Sequence, residues 1–242
     1  MLLLCLLTSN PLSAAGNSLL LASSDYYPHY AHDLPQQGAV SEIVRQAFLL
    51  QNIDITIEFM PFARAYRETK NARYAGLIGG WYDDARAEHF YYSQPMYANQ
   101  IVFFKRQADD INYQSYEQLA QQQLRLGLVQ GYLQPQGLLD SQPTSVSVAH
   151  DEQAFKMLAL GRVDLVPADK LNGLYLINNK LPVQAQKLDF LMPALELRPI
   201  YLLLSKKQSG AEELIRQFNI GLAELRRTGQ YQQILDTLLP TP

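Results

Sequence analysis

Tyr74-Ala75-Gly76-Leu77-Ile78-Gly79-Gly80-Trp81-Tyr82-Asp83-Asp84-Ala85-Arg86, running on through His89-Phe90-Tyr91-Tyr92-Ser93-Gln94-Pro95-Met96-Tyr97, is the stretch from which the fold is read. It opens as an apolar strand and breaks at Gly79-Gly80. It then presents Trp81, Tyr82, Asp83, Asp84 and Arg86 in quick succession. Glycine lets a ligand approach the backbone. Strand ends are also where open α/β sheets hold their ligands. The pattern is that of a binding-site floor.

Upstream, Leu19 to Ala22 is a first apolar strand, ending in Ser23-Ser24-Asp25-Tyr26-Tyr27-Pro28-His29-Tyr30. Val40, Ile43, Val44, Ala47 and Phe48 fall at helical spacing. Ile53, Ile55, Ile57 and Phe59 alternate with polar residues, as in a half-buried strand. Pro61 to Tyr66 opens a second helix. With Tyr74 to Gly80 this makes βαβαβ, the signature of a parallel sheet with crossover helices.

Downstream the pattern restarts. Gln100 to Lys105 is a strand and Tyr116 to Gln122 a short helix. Strands follow at Leu124 to Val129, at Val146 to Val148 (ending on His150-Asp151), and at Val163 to Val166 (ending on Pro167-Ala168-Asp169). Ala154, Phe155, Leu158 and Ala159 mark one helical face, and Leu171, Leu174, Tyr175 and Asn178 another. Together these form a second, smaller α/β unit. Pro193 to Pro199 reads as a connector and Ile200 to Leu204 as a strong apolar strand. Leu214, Phe218, Leu222 and Leu225 line a closing helix that Gly229 stops, before a last helix from Tyr231 to Leu239.

The chain of 242 residues is long for one core and comfortable for two small domains. A formal net charge of −3 argues against a nucleic-acid partner. Residues 1–15 carry no charge and end in Leu12-Ser13-Ala14-Ala15, which reads as a signal peptide cleaved near Ala15 or Gly16. Export to the periplasm is therefore expected. Cys5 is the only cysteine, so the mature chain would have no disulfide. No small residue precedes it, which argues against a lipoprotein box. No stretch reaches the roughly 20 apolar residues that a bilayer crossing needs. There is no cysteine pair, no His-x-x-x-His, no Gly-x-Ser-x-Gly and no Gly-rich phosphate loop. His29 and His32 sit in a loop with no evident third ligand. No catalytic residue, metal or cofactor is expected.

Four landmarks, in order and over nearly the whole mature chain, resemble the family 3 extracellular solute-binding proteins. Tyr27-Pro28-His29-Tyr30 resembles that family's Tyr-Pro-Pro-Phe. Gly79 to Arg86, with Tyr92-Ser93-Gln94-Pro95-Met96-Tyr97, resembles its Gly-x-Thr-x-Thr-x-x-Arg…Phe-Ser-x-Pro-Tyr. Leu158 to Asp164, then Ala168-Asp169, resembles its Leu-x-x-Gly-Arg-Val-Asp-Ala-x-x-x-Asp. Leu225 to Ile234 resembles its terminal Gly-x-Tyr-x-x-Ile helix. Phe62-Ala63-Arg64-Ala65 is similar to a branch of the family less tied to amino-acid uptake.

The resemblance implies a two-lobed, type II periplasmic-binding-protein-like α/β fold. Its two lobes would be joined by two crossing strands, with solute held between them. Lobe 1 would comprise residues 16–104 and 195–242, and lobe 2 residues 105–194. Arg86 matches the arginine that grips a ligand carboxylate, although an ion pair with Asp83, Asp84 or Glu88 stays open. Asp169 matches the aspartate that takes a ligand ammonium; a helix N-cap is its structural use, and the two are compatible. Gly79, Trp81, Asp83, Tyr27, Tyr132, Arg64 and Phe62 complete the candidate ligand set. Trp81 and Asp83 stand where the family has threonines, and Gly131-Tyr132-Leu133 replaces its Gly-Thr-Thr. Hydroxyls are lost and aromatic faces gained, so a cationic, aromatic or larger ligand competes with an ordinary amino acid.

The implied function is a monomeric periplasmic receptor that delivers a small polar solute to the permease of an ABC transporter. One alternative is a sensing module acting on a signalling partner. Another is a dehydratase-like enzyme using Asp83 and Asp169.

Overall fold

A computed structural model of the chain describes residues 18–181 and 187–239. The expected signal peptide and Cys5 lie outside the described residues. Among those described, no helix is long and apolar enough to cross a membrane.

The first half is a parallel sheet with helices packed on it. β1 (Leu19–Ser23) pairs in parallel with both β2 (Ile55–Phe59) and β3 (Gly76–Gly80). Helix α1 (Ala39–Leu49) and α2 (Phe62–Lys70) make the crossovers. The α1 face read from sequence is fully buried: Val40, Ile43, Val44, Ala47 and Phe48 are each 0% exposed. It packs on α7 (Ala211–Thr228), where Phe48 meets Phe218 with ring centroids 5.3 Å apart. Burying side chains of this size stabilises by roughly 1.5–3 kcal/mol each. The helices approach so closely that a Cβ on Gly221 would lie 2.0 Å from the Ala47 carbonyl oxygen. Gly229 stops α7 in the left-handed region, φ 79°, and α8 (Gln230–Leu238) follows.

Short elements connect β3 to the rest. Asp83 caps α3 (Asp84–Ala87) by accepting from the Arg86 backbone N–H, and β4 (Phe90–Tyr92) follows. The two long strands β5 (Tyr97–Arg106) and β10 (Glu196–Ser205) then run antiparallel between the halves. β10 pairs with β3 and β4 through residues 201–205 and with β5 through residues 196–200. β5 in turn pairs with β8 (Val166–Asp169) and β9 (Leu188–Phe190).

The second half is smaller. α4 (Tyr116–Gln121) precedes a parallel pair, β6 (Leu126–Val129) and β7 (Ser145–Val148). α5 (Asp151–Ala159) and α6 (Lys170–Asn179) pack on β5 and β8. A core of Phe104, Phe155, Leu158, Val163 and Leu176 fills it. The Gly-Arg-Val-Asp motif has a structural use here. Asp164 accepts from Arg125 Nε and Nη2 and from the Arg125 backbone N–H, and also pairs with Arg106. The Arg125 hydrogen bonds hold its carboxyl well below the usual carboxylate range.

The two-lobed α/β architecture expected from sequence is what the chain adopts. Two expectations need correction. The segment read as a proline-containing connector is in part strand: β10 begins at Glu196 and includes Pro199 opposite Ala98. Residues 196–200 pair on one side only, so the missing proline N–H disrupts no ladder bond. The strand placed at Val163 to Val166 instead runs from Val166 to Asp169, with Pro167 on an edge strand.

Candidate functional site

The halves meet through a small number of specific contacts. Tyr132, just after β6, places its ring among three aromatics of the first half. Its centroid is 6.1 Å from Tyr26, 5.2 Å from Phe62 at 90°, and 6.1 Å from Trp81. Its hydroxyl donates to Asp151 Oδ2 at 2.9 Å. Arg86 Nη2 donates to the Gly131 carbonyl at 2.8 Å, and Arg198 Nη2 to the Gln134 carbonyl at 2.8 Å.

The loop after β1 docks on the opposite half at several points. Asn172 Nδ2 donates to the Tyr27 carbonyl at 2.7 Å. The Tyr27 ring stacks on Tyr175 at 5.1 Å and 3°. Lys180 Nζ lies 2.6 Å from Asp33 Oδ2 and 4.5 Å from the Tyr27 ring centroid.

These contacts leave two spaces in the cleft. The smaller, about 20 Å³, lies among Tyr26, Tyr30, Phe62, Gly79, Trp81 and Arg86, with Tyr132 and Leu133 closing it from the other half. That is room for about one water. The larger is about 760 Å³, within the range of small-molecule sites. Phe62 and Tyr132 form the partition, since both line both spaces.

Arg86 is 6% exposed, so the surface ion pair considered from sequence is not its arrangement. Its guanidinium lies 5.4 Å from the Phe62 centroid and 5.3 Å from that of Tyr66. It donates to the carbonyls of Trp81 and Gly131, and burial pushes its pKa down. Asp83 serves as the α3 cap. Trp81 is half-buried, donates from Nε1 to Asn99 Oδ1 at 3.0 Å, and carries the Arg198 guanidinium 5.1 Å from its ring. Gly79 has φ +94°, and a Cβ there would lie 2.0 Å from the Tyr30 hydroxyl. The glycine read as a strand break thus lets Tyr30 cover the strand end.

Four expected site residues, Tyr27, Arg64, Asp83 and Asp169, lie outside the smaller space. Tyr27 lines the larger space, not the smaller. Arg64 is exposed on α2 and lines neither. Two residues beyond Phe62, it points about 200° round the helix from the buried face. Asp169, expected to take a ligand ammonium, lines neither space and is 2% exposed. It caps α6 by accepting from the Asn172 N–H at 2.9 Å, bonds His29 Nε2 at 2.8 Å, and accepts from the Gln100 N–H at 3.1 Å. The N-cap open to it from the sequence is formed.

The larger space brings in residues that sequence reasoning passed over: Asp25, Asp33, Asp151, Glu152 and Lys180. Asp25 accepts from the His32 N–H at 2.9 Å and lies 3.0 Å from its ring. Asp33 is desolvated, which acts to raise its pKa, yet the Lys180 and Tyr27 hydrogen bonds bring it below the usual value. Asp151 is 6% exposed, and burial raises its pKa to about 6. The one signal for it in the sequence is position: it follows a strand end and starts a helix.

Asp151 gives a prediction with a definite sign. Its folded pKa of about 6 exceeds the ordinary value of 3.8, so the folded state binds the extra proton. Ionised Asp151 therefore costs stability above pH 6, and the cost is relieved as pH falls from about 6 towards 4. The groups facing it are Tyr132, Tyr26 and Tyr30, with Asp169 adding like charge. Asp151→Asn is expected to be more stable than the parent at pH 7, by about 2–3 kcal/mol, and to lose the advantage near pH 4. Thermal unfolding at both pH values checks this. A variant less stable than the parent at pH 7 would refute it.

A family model described as bacterial extracellular solute-binding proteins, family 3, matches residues 20–240. Among solved structures, the chain is similar to a histidine kinase sensor domain with similarity to periplasmic binding proteins. That match has a TM-score of 0.81 and 19% identity, over 93% of this chain and 96% of that one. It is also similar to an ancestral arginine-binding protein bound to arginine, with TM-score 0.79 and 18% identity over 93% and 99%. A third is the amino acid ABC transporter substrate-binding protein AbpA from Streptococcus pneumoniae bound to L-arginine, with TM-score 0.76 and 17% identity over 92% and 94%. At such identities the likeness carries the fold. Among curated proteins, none matches this chain.

Proposed function

Because the chain belongs to the family 3 bacterial extracellular solute-binding proteins, we propose that it is a receptor for a small polar organic solute. The solute is held in the cleft between lobe 1, residues 16–104 and 195–242, and lobe 2, residues 105–194. The observation that carries this reading is the cleft itself: about 760 Å³, walled by both halves, in a chain whose two long strands β5 and β10 run paired between them. Two α/β bodies on a two-strand connection are suited to hinge closure round a ligand. In this reading the protein is exported by its N-terminal segment, works as a monomer in the periplasm, and passes its solute to the permease of an ABC transporter.

A sensing role has its own support, the likeness to a histidine kinase sensor domain. In that reading the same closure acts on a signalling partner. The dehydratase reading is weaker, because Asp83 and Asp169 are both engaged in helix caps and neither lines the cleft.

Mass spectrometry of molecules released on denaturing the purified protein tests capture directly, together with thermal shifts across amino acids, amines, short peptides and organic acids. A true solute at a hundredfold excess over Kd is expected to stabilise by about 2.7 kcal/mol. A panel with no released molecule and no shift counts against a receptor. Co-purification from membranes with a permease–ATPase pair, or with a kinase instead, separates transport from sensing.

A further inference from the structure

The two spaces differ in chemistry. In the smaller one, the cation that would hold a carboxylate is already engaged. Arg86 donates across the cleft to the Gly131 carbonyl and lies against Phe62 and Tyr66. Tyr132 lines the same space, which measures about 20 Å³. A carboxylate could reach Arg86 only by displacing both.

The larger space has the opposite character. Four carboxylates line it, those of Asp25, Asp33, Asp151 and Glu152, against the single lysine Lys180. Lys180 is matched by Asp33 at 2.6 Å, and Glu152 pairs with Lys156 on the exposed side. His32 lies against Asp25, and His150 is also at the wall. Among the described residues no cation pairs with Asp151. It is 94% buried by its 6% exposure, accepts from Tyr132 on Oδ2, and lines the cavity. Beyond Tyr132, the hydrogen bond that helps its carboxylate is a backbone one at its own helix start. Phe59, Phe62, Tyr27 and Tyr132 add aromatic surface to the same walls.

A buried carboxylate beside aromatic faces is the setting that attracts an ammonium or guanidinium. A carboxylate on the same ligand would meet Asp25, Asp151 and Glu152, while among the described lining residues the one lysine, Lys180, is already matched by Asp33.

We propose that the larger cavity is the solute site and that it selects organic amines or guanidines lacking a carboxylate, with Asp151 as the inner anchor. This deepens the receptor reading and rests on it. The raised pKa of Asp151 agrees with it, because an arriving cation relieves the cost of its buried charge.

The test is calorimetric titration of the full chain at pH 8 with two matched pairs, agmatine against arginine and cadaverine against lysine. Each amine differs from its partner by the carboxylate alone. At least one amine is expected to bind more tightly than its amino acid by about tenfold or more. Asp151→Asn is expected to weaken that amine by about thirtyfold or more. Ligand-free unfolding of the variant verifies that it is folded, and Asp25→Asn, at a more exposed position, is expected to weaken binding less.

Amino acids binding more tightly than both amines would overturn the proposal. So would amine affinity that stays within about twofold in Asp151→Asn. Another solute of the broad panel binding without the amines would overturn the amine assignment and leave the receptor reading standing. If nothing in the panel bound, both would fall.

Discussion

A Tyr132→Ala variant is expected to hold its lobes apart when no solute is present. Tyr132 belongs to the smaller half, yet its ring packs against Tyr26, Phe62 and Trp81 of the other. Within its own half its hydroxyl bonds Asp151 and its ring borders the second-half core. Removing the ring withdraws three aromatic contacts from between the lobes, and with them some packing at the rim of each core. Truncating a buried aromatic costs about 3–5 kcal/mol, and a half-buried one sits at the low end. About 3 kcal/mol is roughly a hundredfold in the ratio of closed to open molecules. Small-angle scattering of the ligand-free variant should give a larger radius of gyration than the parent, and a bound solute should reduce it. Tyr132→Phe keeps the ring and should stay closed. If Tyr132→Ala scatters like the ligand-free parent, Tyr132 is not what holds the lobes together.

Much of this cleft was legible from sequence because its residues sit at strand ends and helix starts. Gly79, Trp81 and Arg86 follow β3, Phe62 opens α2, and Tyr132 follows β6. Periodicity locates such places, and residue type then suggests chemistry. The same periodicity gave β1, β2, β3 and α1, whose apolar faces are regular. It failed where proline lies in a strand: Pro199 in β10 and Pro167 in β8 look like breaks until the one-sided pairing is known. The three-residue strands β4 and β9 are too short to show a period.

Other features depended on tertiary contact. Asp151 reads locally as a polar residue after a strand, and its burial comes from Tyr132, 19 positions away. Asp169 was assigned to a ligand through family resemblance, whereas its hydrogen bonds run to His29, Asn172 and Gln100. Its partner His29 is 140 positions distant, and no local pattern signals that pairing. Arg86, expected to anchor a ligand carboxylate, lines the smaller space. Its engagement with Gly131 could not be read without knowing how the halves meet.

The His29–Asp169 pair gives the second large effect: His29→Ala is expected to lower the melting temperature by roughly 6–12 °C. The two side chains are 0% and 2% exposed, with Nε2 and Oδ1 2.8 Å apart. Among the described residues His29 Nδ1 has no hydrogen-bond partner, and it is Nε2 that faces Asp169, where an N–H donates to the carboxylate. The other donors to Asp169 are the backbone N–H groups of Asn172 and Gln100. Alanine would leave a buried carboxylate short of one charge-assisted bond, worth about 1.5–3 kcal/mol. It would also vacate the ring's place beside Tyr26 and Tyr97, whose centroids are 5.5 Å and 5.0 Å away. A total of about 3 kcal/mol, at 2–4 °C for each in a chain of this size, gives the expected range. Gln restores a donor near the Nε2 position and should recover part of the loss. The double variant with Asp169→Ala should lose less than the sum of the single losses, because the unpaired charge is gone. A fall of less than about 2 °C in His29→Ala would show that the pair is not an anchor. The site matters beyond stability, because Asp169 ties the first-half loop to β5 and caps the helix that carries Asn172 and Tyr175. Loosening it should also weaken solute binding, since those residues and Lys180 fix the Tyr27 side of the larger cavity.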